Sequence, residues 1–149
     1  MIDNQKLKLT LDIGGNMLSM DELLNHKYKF EDQSKEIQNN LRQTLDRVNK
    51  IRLLWDKPMI VTSGLRTIED HLRIYKNKGI TDPAKIPMKS RHLYGQAVDV
   101  SDPDLAITAR LKDDTSILED AELWCEQGNK NWVHFQIVPP ASKNRWFLP

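Results

Sequence analysis

Ser90-Arg91-His92-Leu93-Tyr94-Gly95-Gln96-Ala97-Val98-Asp99 sets an imidazole and a carboxylate seven residues apart, with small residues between them. From Gly95 onward the run reads as a strand that stops at Asp102-Pro103. Side chains in a strand alternate faces, so Gly95, Ala97 and Asp99 share one face and Gln96, Val98 and Val100 the other. The face with the carboxylate then carries almost no bulk, and His92 can reach back over it. A hydrated metal ion with a bound substrate would fit that gap. A second imidazole comes from Trp132-Val133-His134-Phe135-Gln136-Ile137-Val138, a strand-like run ended by Pro139-Pro140. Two neutral imidazoles and one carboxylate leave a tetrahedral zinc one position for water. That ion can generate hydroxide near neutral pH and polarise a carbonyl. The ligands His92, Asp99 and His134 would come from separate strands, unlike the helical His-Glu-x-x-His arrangement. Spacing alone leaves the matter open, because a histidine in a strand is as a rule packed or solvated.

The wording of these runs narrows the choice. Ser-x-His-x-x-Gly-x-Ala-x-Asp from Ser90 to Asp99, followed by Trp132-Val133-His134, resembles the zinc D-Ala-D-Ala metallopeptidases. That group includes VanX- and VanY-type dipeptidases and carboxypeptidases and phage L-alanyl-D-glutamate endopeptidases, and it shares fold and metal site with the hedgehog signalling domain. Thr62-Ser63-Gly64-Leu65-Arg66 matches a third motif of the family, Ser-Gly-x-Arg, upstream of the other two. The resemblance runs in order from about Lys57 to the C-terminus, and the Trp132–Ser142 stretch looks like the phage-borne branch. It implies an α+β fold, with a small, mostly antiparallel sheet flanked by helices. It also implies a Zn2+ site at His92, Asp99 and His134, with Ser90 beside the substrate and Arg66 facing the scissile bond. An arginine there can hold a substrate carboxylate or carbonyl through its planar fork of donors. The activity implied is hydrolysis of peptidoglycan stem peptides by a phage or prophage lysin, of D-Ala-D-Ala carboxypeptidase or L-Ala-D-Glu endopeptidase type.

One position departs from the family pattern. Many relatives carry Asp or Glu three residues before the last histidine, as the base that takes the proton from water. Here that position is Asn131, whose amide has no useful pKa. If Gln127 to Lys130 form a hairpin loop, Glu126 pairs with Asn131 across it and can replace the missing base. The alternatives are a surface glutamate and a non-catalytic metal-binding domain, either a cell-wall-binding or a phage structural protein.

The remaining sequence supplies scaffold. With 149 residues the chain suits one domain, with an N-terminal scaffold over about 1–56 and the motifs over about 57–149. A net charge of +1 makes no case for a nucleic-acid surface. Cys125 is the single cysteine, so no intrachain disulfide forms, and beside Trp124 it reads as a small buried residue. The N-terminus shows no export signal and no stretch approaches a membrane span, so the protein is expected to be made in the cytoplasm and to reach the cell wall after release. Oligomeric state is not legible.

Leu7 to Ile13 alternates as a strand stopped by Gly14-Gly15-Asn16, and Ser19 caps a short helix. His26 reads as a solvated surface residue. Ser34 to Trp55 is the clearest helix, with Ile37, Leu41, Leu45, Val48 and Ile51 as one stripe. Met59 to Thr62 reads as a strand buried on both faces. Thr67 to Tyr75 reads as a helix with Ile68, Leu72 and Tyr75 on one side and His71 exposed. Lys76 to Met88 is a loop, and Leu105 to Leu118 is helical with Leu105, Ala109 and Leu111 inward.

Overall fold

A computed structural model describes residues 17–149; the strand at 7–13 and its glycine turn fall outside them. Ser19 opens helix α1 (Met20–Leu23) with a full capping box, its hydroxyl accepting from Glu22 N while the Glu22 carboxylate accepts from Ser19 N. Ser34 caps α2 (Lys35–Trp55), whose Leu41, Val48 and Ile51 are buried as their spacing requires. The helix stops at Asp56, in the left-handed region at φ 53°. Strand β1 (Val61–Ser63), α3 (Ile68–Asn77), β2 (Ala97–Asp102), α4 (Ala106–Asp113), α5 (Ser116–Ala121), β3 (Trp124–Glu126), β4 (Asn131–Gln136) and β5 (Trp146–Phe147) follow.

The fold is α+β. Among the described residues the strands form one sheet in the order β1-β2-β4-β3-β5, antiparallel except where β5 runs parallel to β3. Val98, Val100, Val133, Phe135 and Cys125 turn from this sheet into one core with Leu41, Val48 and Ile51 of α2 and Leu118 of α5. Cys125 is a free, buried thiol. Burial pushes it well above its ordinary value, with the Arg145 charge opposing; it is packing, not a nucleophile.

Several local expectations give way to long-range packing. Ile60 is 66% exposed while Met59 is buried, so the β1 region is covered on one side only. In α3 the expected faces are reversed: Ile68 and Leu72 are exposed, and Asp70 and His71 are buried. Polar partners, most of them from other segments, drive this. Asp70 receives Lys27 Nζ at 2.6 Å together with Tyr28 and Arg73, and His71 Nε2 meets the Pro87 carbonyl at 2.6 Å. The 105–118 region is two helices rather than one. Asp102 accepts from Ile107 N and Thr108 N at 2.9 and 3.0 Å, which starts α4 and turns Ile107 and Leu111 inward. Leu105 and Ala109 are exposed instead. His26 is exposed, as expected, and pairs with Asp21. No helix of the described residues is long and apolar enough to cross a membrane.

Candidate metal centre

In the β2–β4 ladder Asp99 lies directly opposite His134, with Ala97 opposite Gln136 and Ser101 opposite Trp132. Directly opposed residues share a face, so this set lies on the side away from Val98, Val100, Val133 and Phe135. His92 joins them from a 3-10 turn at Arg91–Tyr94, closed by Gly95 at φ 70°. Helix α2 fastens that turn: Asn40 Nδ2 donates to the Tyr94 carbonyl at 3.0 Å and Thr44 Oγ1 to the Gly95 carbonyl at 2.8 Å. The missing Cβ of Gly95 is not room for a ligand, as the alternation of faces suggests. A Cβ there would lie 2.9 Å from Leu41 Cγ, so the space belongs to α2.

Asp99 Oδ1 lies 2.9 Å from His134 Nδ1 and 3.3 Å from His92 Nε2. One ligand atom from each of the three residues falls within 4.8 Å of the others. The two imidazoles meet edge to face, 5.3 Å between centroids. Burial raises the Asp99 carboxyl, but hydrogen bonds from His134 and His92 outweigh it and hold the group at about 2. Burial likewise lowers His134, and the Asp99 hydrogen bond and charge more than reverse this, with Gln136 and Glu126 adding to the upward shift. A carboxylate held ionised between two imidazoles, all three mostly buried, is a donor set that suits a divalent cation.

The Ser-Gly-x-Arg segment holds His92 from both ends. His92 Nδ1 lies 2.9 Å from the Gly64 carbonyl, and Arg66 N donates to the His92 carbonyl at 3.0 Å. A carbonyl only accepts, so Nδ1 carries a proton, and Nε2, the nitrogen that faces Asp99, is the atom left to ligate a cation once it gives up its own. Gly64 is glycine because α1 passes against it: a Cβ would lie 2.1 Å from the Leu23 carbonyl oxygen. Asn25 clamps the same loop, accepting from Gly64 N at 2.7 Å and donating to the Leu65 carbonyl at 2.6 Å.

The other expected site residues are placed as follows. Arg66 is half-buried, and its Nη1 lies 3.4 Å from His71 Nδ1. Ser90 precedes the 3-10 turn, and its carbonyl accepts from Leu93 N, while its hydroxyl makes no capping bond. Glu126 does not pair with Asn131. Trp124 pairs with Gln136 and Cys125 with Phe135, so the same register carries Glu126 toward His134. The connection is longer and less symmetric than a four-residue loop, because the first residues of β4 pair only with β2. Asn131 is exposed, at φ 74° and opposite Asp102. In one orientation the Asn129 side-chain amide sets its nitrogen 3.0 Å from Glu126 Oε1 and its oxygen 3.3 Å from Trp132 Nε1.

Two participants escape a reading of the sequence alone. Gln136 Oε1 lies 2.9 Å from His134 Nε2, and Phe147 of β5 meets the His134 ring edge-on at 6.3 Å. The alternation of β4 carries a signal for Gln136, which lies two residues beyond His134 on the same face. Nothing local points to Phe147.

A family model described as Peptidase M15 matches residues 16–136. No curated protein matches the chain. Among solved structures, the L-Ala D-Glu endopeptidase ChiX of Serratia marcescens resembles it at 19% identity and a TM-score of 0.45, over 71% of this chain and 89% of that one. With the Peptidase M15 model matched across His92, Asp99 and His134, the chain belongs to the Peptidase M15 family.

Proposed function

We propose that the chain is a zinc peptidase that hydrolyses peptidoglycan stem peptides, as a phage or prophage lysin, with His92, Asp99 and His134 as the metal ligands. The observation that carries this reading is the convergence of the three donor groups within 4.8 Å on one face of the β2–β4 pair. Zinc held by these three residues would supply Lewis acidity and make water easier to deprotonate near neutral pH. Glu126 takes the proton of the attacking water and returns it to the leaving amine. The β3–β4 register and the electrostatic coupling of Glu126 to His134 support that role. Arg66 holds the substrate carbonyl or carboxylate, with Ser90 beside it at the head of the His92 turn. The peptidoglycan substrate rests on the family and on the Ser-Gly-x-Arg, His-x6-Asp and Trp-x-His motifs together.

A second reading, metal binding without turnover, is favoured by one observation: Asn131 stands where relatives carry the acidic base. Incubation of the zinc-loaded protein with muropeptides, read by mass spectrometry, decides between the two. The parent should release stem-peptide fragments, and Glu126→Gln should cut the rate by about 10²–10⁴-fold while keeping its metal. A parent that binds zinc but leaves every muropeptide intact overturns the peptidase reading in favour of the binding domain. A Glu126→Gln variant at parental rate moves the base elsewhere.

A further inference from the structure

The amide of Gln136 is buried and spent in two directions: Oε1 lies 2.9 Å from His134 Nε2, and Nε2 donates to the Val138 carbonyl at 2.7 Å. We infer that Gln136 is a positioning residue that selects Nδ1 of His134 as its metal-ligating atom and holds that imidazole on Asp99. This rests on the reading of His92, Asp99 and His134 as metal ligands.

The Val138 carbonyl, like any backbone carbonyl, can only accept. The Gln136 nitrogen must therefore face Val138, which leaves the amide oxygen facing His134. That oxygen also only accepts, so His134 Nε2 keeps its proton whatever happens at the other nitrogen. The lone pair available to a cation is then confined to Nδ1, the atom 2.9 Å from Asp99 Oδ1. The fixed point is well anchored. Ile137 N donates to the Gln96 carbonyl at 3.0 Å, and Arg47 of α2 donates to the Ile137 carbonyl at 3.1 Å. Pro139 follows and keeps Val138 out of helical backbone. The Val138 carbonyl thus cannot swing away to release the glutamine. The selection is asymmetric between the two imidazoles: the Gly64 carbonyl leaves His92 to ligate through Nε2, whereas Gln136 leaves His134 to ligate through Nδ1.

Two variants separate positioning from packing. Gln136→Met keeps the volume and removes the acceptor; Gln136→Glu keeps an acceptor for His134 but sets a carboxylate oxygen against the Val138 carbonyl. Zinc affinity is measured for all three proteins by competition with a chromophoric chelator at one pH, with thermal melting alongside. Cadmium-loaded protein is examined by nitrogen NMR for a protected His134 Nε2 proton. Loss of an orienting partner costs about 10–100-fold in metal affinity, and Gln136→Met should lose that much together with the protected proton. Gln136→Glu should bind more tightly than Gln136→Met, although it melts lower. If Gln136 only packs, affinity follows stability and the glutamate variant is the weaker binder, which overturns the inference. Parental affinity in Gln136→Met overturns it too, while leaving the metal ligands standing. A parent chain that takes up no zinc removes the metal reading and this inference together.

Discussion

Gly64→Ala puts a methyl where α1 already stands. The added carbon would lie 2.1, 2.7 and 2.9 Å from the O, C and Cα of Leu23, all backbone atoms that no rotamer change can move aside. An ordinary C···O contact is about 3.3 Å, so the two segments must part by roughly an ångström. That separation strips Leu65 N from the Leu23 carbonyl, now 2.7 Å away, and pulls both Asn25 bonds to the loop. Three hydrogen bonds at about 1 kcal/mol each give a loss of about 3 kcal/mol. For a chain of this size that corresponds to a melting point lower by about 6–12 °C. The loop also carries the carbonyl that orients His92, so zinc affinity should fall by about tenfold in the same variant. Thermal melting by circular dichroism and chelator competition read the two effects on one sample. A Gly64→Ala protein that melts within about 1 °C of the parent and keeps its zinc would refute the claim that α1 clamps this loop.

The remaining tests address single residues. His92→Ala should lose stoichiometric zinc by elemental analysis after dialysis; full retention would remove His92 from the ligand set. Arg66→Lys should lower activity on muropeptides with little change in melting point, since a point charge does not replace a planar fork. A large drop in melting point at normal specific activity would mark Arg66 as structural. The Lys27 hydrogen bond, opposed by burial and aided by the Arg73 and Lys27 charges, lowers Asp70 below its ordinary 3.8. A carboxyl lowered in the folded state contributes stability above its unfolded pKa and loses it as pH falls through the folded one. The urea midpoint of Asp70→Asn should therefore lie below the parent's at neutral pH, with the gap closing below pH 3.8; a gap that persists there would count against the ion cluster.

What the sequence reveals is what short spacing encodes. Ile37, Leu41, Leu45, Val48 and Ile51 are set by the helical repeat alone, and α2 follows. Asp99 and His134 become cross-strand partners because each sits in a run whose alternation is plain, with Val98 and Phe135 fixing the buried face. The errors fall where a distant segment decides. His71 looks solvated on its own helix, and only the Pro87 carbonyl, 16 residues away, makes it a buried group. Gly95 looks like room for a ligand until Leu41 of α2 fills it. The Glu126 register depends on how far β4 runs alongside β2 before β3 joins, which no turn residue encodes.

The proposed ligands are unevenly spread along the chain, and this would govern when a metal site exists. His92 and Asp99 are seven residues apart, whereas His134 reaches Asp99 across 35 positions. An unfolded chain can offer a cation only the short two-ligand segment; the third donor arrives when β2 and β4 pair. A cation held by all three therefore ties the two central strands of the sheet together, and it binds the folded chain far better than the unfolded one. Stability becomes a function of free metal, rising by about 2.7 kcal/mol at one hundred times the dissociation constant. A chelator would then act on this protein as a mild denaturant, and a melting temperature would have meaning only beside the metal concentration at which it was taken.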